Sequence, residues 1–145
     1  MSRLQLALNV TNLDKAIDFY SRMFATPPTK VKPGYANFAI SDPPLKLVLF
    51  EGREGATINH LGVEVASAGD VRAAEGRLRD SGMETTGVDD TVCCYAEKTE
   101  TWVADPDGAH WEWYVKTGDV EQLRDLGIPT ASGAEAENCG KPCCT

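Results

Sequence analysis

Cysteine is missing until position 93, histidine occurs only twice, and no apolar run approaches the roughly 20 residues that cross a bilayer. Each scarcity excludes something. Without such a run no membrane-spanning helix is expected. Basic residues are outnumbered, 14 Lys and Arg against 22 Asp and Glu, for a net charge of −8. That balance argues against nucleic acid and anionic membranes as partners, because both need a basic footprint. The five cysteines, at 93, 94, 139, 143 and 144, are odd in number and crowded into the C-terminal third. A secreted disulfide framework more often has an even count spread through the fold. Free thiols in a reducing cytoplasm are therefore the expectation. Met1-Ser2-Arg3-Leu4-Gln5 enters a strand pattern at once, so no signal peptide is visible.

What is present reads as one domain over residues 1–117, built from two similar modules at about 3–52 and 57–117. Leu4-Gln5-Leu6-Ala7-Leu8-Asn9-Val10 alternates with period two, the leucines on one face and Gln5, Ala7 and Asn9 on the other. Thr11 or Asn12 can cap the helix that follows, in which Leu13, Ala16, Ile17, Tyr20 and Phe24 form an apolar stripe. Strands are expected near 30–32, 36–40 and 45–50. The second module repeats this order: a strand over 58–65, a helix over 70–80 stopped by Gly82, and strands near 84–88, 99–104 and 109–115. The last two are joined by the turn Asp105-Pro106-Asp107-Gly108. Aligning Gln5 with His60 sets the modules 55 residues apart. From Gly118 onward the composition changes to a short helix over 120–126 and a Gly-, Ala- and Glu-rich cysteine-bearing tail that reads as mobile.

With only two histidines, ligand assignment is tractable. His60 shares a strand face with Gly62 and Glu64, whereas in Ala109-His110-Trp111-Glu112-Trp113 the residues His110, Glu112 and Tyr114 face away from the tryptophans. Gln5, His60 and Glu112 can therefore occupy the polar faces of three strands around one cavity. One amide oxygen, one imidazole and one carboxylate resemble the two-His-one-carboxylate facial site of non-haem iron, with Gln replacing a His. The alternatives remain open: an inward strand histidine is more often a hydrogen-bonded core residue. Glu112 between two tryptophans also fits an exposed edge carboxylate, and His110 fits a turn cap or a partner of Glu112.

Cys93 and Cys94 are adjacent in Asp90-Thr91-Val92-Cys93-Cys94-Tyr95. Adjacent thiols make a poor disulfide but a good clamp for a soft, thiophilic atom such as trivalent arsenic. Strand alternation would point them to opposite sides, so two convergent sulfurs call for a loop.

The chain resembles the vicinal oxygen chelate superfamily of glyoxalases, extradiol dioxygenases and fosfomycin-resistance enzymes. The residues that carry the likeness are Leu6–Val10 with Leu13–Tyr20, Asn59-His60-Leu61-Gly62-Val63, and Asp105-Pro106-Asp107-Gly108 leading to Trp111-Glu112. The resemblance implies an α+β fold in which two βαβββ modules form a cupped mixed sheet. Within the superfamily, Asp89-Asp90-Thr91-Val92-Cys93-Cys94-Tyr95-Ala96 is similar to the organoarsenical carbon–arsenic lyases, Fe(II)-dependent dioxygenases often called cadmium-induced proteins. This implies Fe(II) held by Gln5, His60 and Glu112, trivalent arsenic held by Cys93 and Cys94, and an organoarsenical and dioxygen as the small-molecule partners. Pairing of modules within one chain or across a homodimer stays open.

Two other classes compete. A glyoxalase or fosfomycin-resistance metalloenzyme would use the same scaffold. Against the first, the module-one position matching Glu112 falls around Leu47 or Leu49, so the fourth ligand is missing. Against the second, no basic cluster for a phosphonate stands out. A non-enzymatic cadmium- or arsenite-binding protein would use the thiols alone.

Overall fold

The computed structural model describes residues 2–93 and 95–121. These divide into two compact units, residues 3–61 and residues 62 onward. The short helix expected over 120–126 and the thiol cluster at 139–144 lie outside the described residues, apart from the first two positions of that helix.

In the first unit the alternation of leucines becomes β1 (Arg3–Val10), followed by α1 (Leu13–Met23), β2 (Lys30–Lys32), β3 (Tyr35–Ile40) and β4 (Leu45–Glu51). Asn12, not Thr11, caps α1: its side chain accepts from Lys15 N at 3.0 Å, satisfying one of the amides that a helix start leaves unpaired. Glu51 Oε2 accepts from Leu13 N at 2.7 Å and ties the end of β4 to the same helix start. β1 and β4 run parallel, with Leu6 opposite Leu47 and Leu8 opposite Leu49. Those leucines meet Ala36, Phe38 and Ile40 of β3 and the stripe Leu13, Ala16, Ile17, Tyr20 and Phe24 of α1. Full burial of each large side chain there is worth about 1.5–3 kcal/mol. The opposite face of β1 and β4 carries Gln5, Ala7 and Asn9 beside Lys46, Val48 and Phe50. This corrects the expected match for Glu112: Leu47 and Leu49 belong to the helix-side core, and the polar-face position of β4 is Val48 or Phe50. Neither is a ligand, so a fourth protein ligand is still lacking there.

The strand β5 (Thr57–Glu64) begins in the first unit, where the hydrogen-bonded order is β2-β3-β4-β1-β5. Its last residues belong to the second unit, whose order is β5-β8-β7-β6. Here α2 (Ala68–Asp80) is capped by Ser67, and β6 (Asp89–Cys93), β7 (Ala96–Ala104) and β8 (His110–Asp119) form an antiparallel ladder. Val71, Ala74 and Leu78 of α2 are buried, and the Arg77 guanidinium lies 5.9 Å from the Trp113 ring. That contact puts α2 on the tryptophan side of β8. The turn before β8 is held by Asp105 Oδ1, which accepts from Asp107 N at 2.9 Å and Ala109 N at 2.8 Å.

One expected strand is displaced. Residues 84–88 are not a strand; pairing begins at Asp89, opposite Glu100. Gly87 has φ +77°, a left-handed conformation that breaks extension. Thr85 Oγ1 donates to Glu75 at 2.8 Å and accepts from Gly87 N at 3.2 Å, so this segment is tied to α2. Consequently Cys93 is not in a long loop. It ends β6 opposite Ala96, next to a tight turn through Tyr95, whose φ is 62°.

Candidate active site

Gln5 and His60, 55 residues apart in the chain, meet side chain to side chain. Gln5 Nε2 lies 3.1 Å from His60 Nε2, both residues being 4% exposed. The other imidazole nitrogen is also engaged: Nδ1 lies 2.8 Å from Asn59 Oδ1. A carbonyl oxygen can only accept, so the proton sits on Nδ1 and Nε2 presents a lone pair. The Gln5 amide donates to that lone pair. The Phe50 ring, 6.2 Å from the imidazole, walls the same side.

This pair fits a metal. Two donor atoms each about 2.1 Å from a first-row ion and at right angles lie about 3.0 Å apart. Turning the Gln5 amide over would set its oxygen, a ligand atom, where its nitrogen now is. Among the described residues no group of three or more His, Cys, Asp and Glu side chains is placed to hold a metal ion.

Glu112 belongs to the second unit and is fully buried, which removes the reading of it as an exposed edge carboxylate. Register places it opposite Trp102, on the face shared by Tyr114 of β8 and by Lys98 and Glu100 of β7. Lys98 Nζ donates to Glu112 Oε1 at 2.8 Å and stands 4.9 Å from the Tyr114 ring centre. The Tyr114 hydroxyl in turn donates to Glu64 Oε2 at 2.9 Å. Glu100 accepts from Trp102 Nε1 at 3.0 Å through Oε1, while its Oε2 is buried with no partner as a carboxylate. Burial, then the charge of Glu112 beside it, pushes the Glu100 carboxyl up to about 8, against the opposing pull of Lys98. At neutral pH Glu100 keeps its proton, and donating it to Glu112 accounts for the orphaned oxygen. Nothing in the sequence pattern singled out Lys98 or Glu100; the strand alternation of β7 was the only signal available.

Cys93 lies on the same face of the ladder: it pairs with Ala96, two residues before Lys98 in that alternation. Glu112 pairs with Trp102, six residues further along β7, or about 20 Å at strand spacing. Cys93 is disulfide-bonded, contrary to the expectation of free thiols, and the chain's other four cysteines lie outside the described residues. A cavity of about 640 Å³ in this unit is lined by Arg72, Asp90, Thr91, Glu97, Lys98 and Thr99, among others.

Taken together, a βαβββ arrangement in each half defines a scaffold of the glyoxalase kind. The profile of the glyoxalase/bleomycin resistance protein/dioxygenase superfamily matches residues 3–113, and the chain belongs to that superfamily. A trivalent organoarsenical cleaving enzyme of Thermomonospora curvata is 49% identical, over 99% of this chain and 100% of its own length. The cadmium-induced protein CadI of Mycobacterium tuberculosis is 54% identical over 83% of this chain and 80% of its own. Among solved structures, the Mn(II)-bound glyoxalase of Novosphingobium aromaticivorans shares the fold, with a TM-score of 0.59 at 18% identity, covering 89% of this chain and 46% of that one. No helix among the described residues is long and apolar enough to cross a membrane.

Proposed function

We propose that this chain is an Fe(II)-dependent dioxygenase that cleaves the carbon–arsenic bond of trivalent organoarsenicals and releases arsenite. Gln5, His60 and Glu112 would hold the iron, and Cys93 and Cys94 the arsenic. The observation that carries the metal half is the Gln5–His60 contact at 3.1 Å with the imidazole proton committed to Asn59. The substrate half rests on the near full-length relative that is named as an organoarsenical cleaving enzyme.

Bound Fe(II) would supply activation of dioxygen. The protein's own groups do the rest. A trivalent R–As(OH)₂ exchanges its two hydroxyls with two thiols, whose protons leave with the hydroxyls as two waters, and keeps its carbon substituent free. Holding both reactants on one scaffold turns an encounter into a positioned reaction. On this reading the roughly 20 Å of register between Cys93 and Glu112 has to close once arsenic is loaded. Cys93 must also be reduced first, since arsenic bonds thiolate and not disulfide sulfur.

The test is anaerobic protein loaded with Fe(II) and given methylarsonous acid. Arsenite should appear only when oxygen is admitted, and Cys93→Ser or Cys94→Ser should abolish turnover with iron still bound. Arsenite release without oxygen uptake, or full activity in either serine variant, overturns the assignment. A purely sequestering protein would bind arsenical stoichiometrically and release nothing.

A further inference from the structure

The hydrogen bond from His60 to Asn59 is the end of a longer chain. Asn59 Nδ2 donates to Asn9 Oδ1 at 3.1 Å, and Asn9 Nδ2 donates to Thr57 Oγ1 at 2.9 Å. Each amide thus uses its oxygen on one neighbour and its nitrogen on the next. Polarity runs one way from imidazole to hydroxyl. Because an amide cannot accept with its nitrogen, the links reverse together or not at all. The reversed relay is the other consistent state; in it Nδ1 accepts from the Asn59 amide and the proton sits on Nε2, where no metal could bind.

We propose that Asn59, backed by Asn9, is a positioning residue that holds His60 in the Nδ1–H tautomer and so turns the Nε2 lone pair toward the metal. The inference rests on the reading of His60 as a ligand. Its physical basis is general: a ligating imidazole needs a partner on its second nitrogen to set tautomer and ring orientation. Here that partner is the preceding residue of the same strand. Asn9 stands on β1 two turns of alternation beyond Gln5 and shares its polar face. The strand that supplies the amide candidate for the metal therefore also anchors the relay that orients the histidine.

The experiment uses the full chain, metal-free and then titrated with Mn(II), with wild type compared with Asn59→Leu, Asn59→Asp, Asn9→Ala and His60→Ala. Long-range ¹⁵N–¹H spectra at about pH 8, above the ordinary imidazole range, report the tautomer directly, and the two histidines are separable through His60→Ala. Wild type should show His60 as Nδ1–H. Asn59→Leu should lose that preference and weaken Mn(II) binding about 10- to 100-fold. Asn59→Asp, which still accepts from Nδ1–H, should keep the tautomer and most of the affinity, and Asn9→Ala should fall between. A wild-type Nε2–H tautomer, or an Asn59→Leu protein with unchanged tautomer and affinity, overturns the relay. If Asn59→Leu does not fold, the Asp and Asn9 variants decide by the same two readouts. Wild-type Mn(II) affinity in His60→Ala overturns the metal reading instead, and the two failures are thereby distinguished.

Discussion

Lys98 Nζ lies 2.8 Å from Glu112 Oε1, with the lysine side chain 8% and the glutamate 0% exposed, so an ammonium and a carboxylate are paired almost wholly out of water. Such pairs add little net stability, yet removing one partner strands the other in a medium that solvates it poorly. We expect Lys98→Met to lower the stability of the metal-free protein by about 3–5 kcal/mol. The double variant Lys98→Met/Glu112→Gln should recover part of that loss. Urea denaturation of the four proteins gives the coupling. Additive losses would mean that the pair is not a unit.

Glu100 makes folding depend on pH. Its folded value of about 8 lies above the ordinary 4.5, so between those limits the folded chain keeps a proton that the unfolded chain has released. Folding then binds a proton, and stability falls as pH rises from about 4.5 toward 8, by at most about 1.4 kcal/mol per pH unit. Below that window the group is neutral in both states and costs nothing. Glu100→Gln should flatten the difference between pH 5 and pH 8 in metal-free protein. Parallel pH profiles for the two proteins would contradict the assignment of the raised carboxyl to Glu100.

The disulfide at Cys93 predicts a redox requirement for substrate binding. In the full chain, the oxidised protein should take up no phenylarsine oxide at Cys93, and reduction should add an uptake that Cys93→Ser abolishes. Uptake by the oxidised form would show that arsenic binds elsewhere.

Capping of α1 is a local test of the fold. Asn12→Ala removes the acceptor for Lys15 N and should cost about 1 kcal/mol. Thr11→Ala should cost little, since Thr11 does not cap. Thermal melts of the two variants separate the candidates that the sequence left side by side.

The alternation of Leu4, Leu6 and Leu8 and the helical stripe from Leu13 to Phe24 were legible because burial against one layer imposes periods of two and 3.6 on the residues themselves. The position of β6 was not. Residues 84–88 have strand-like composition, but Gly87 breaks them and Thr85 is held by Glu75, so the extended segment slips to 89–93. Cys93 moved with it, from an expected loop to a strand end.

Sequence by itself determined the order of elements, the two strand faces of each module and the short roll of residues able to ligate. The two histidines and the adjacent cysteines narrowed that roll, because few side chains bind metals or arsenic at all. Only tertiary structure decided which of them meet. Gln5 meets His60 because pairing brings together strands far apart in the chain, and Lys98 meets Glu112 across the β7–β8 ladder. Such partners leave no periodic trace: a hydrogen bond across 55 residues constrains two positions and nothing between them.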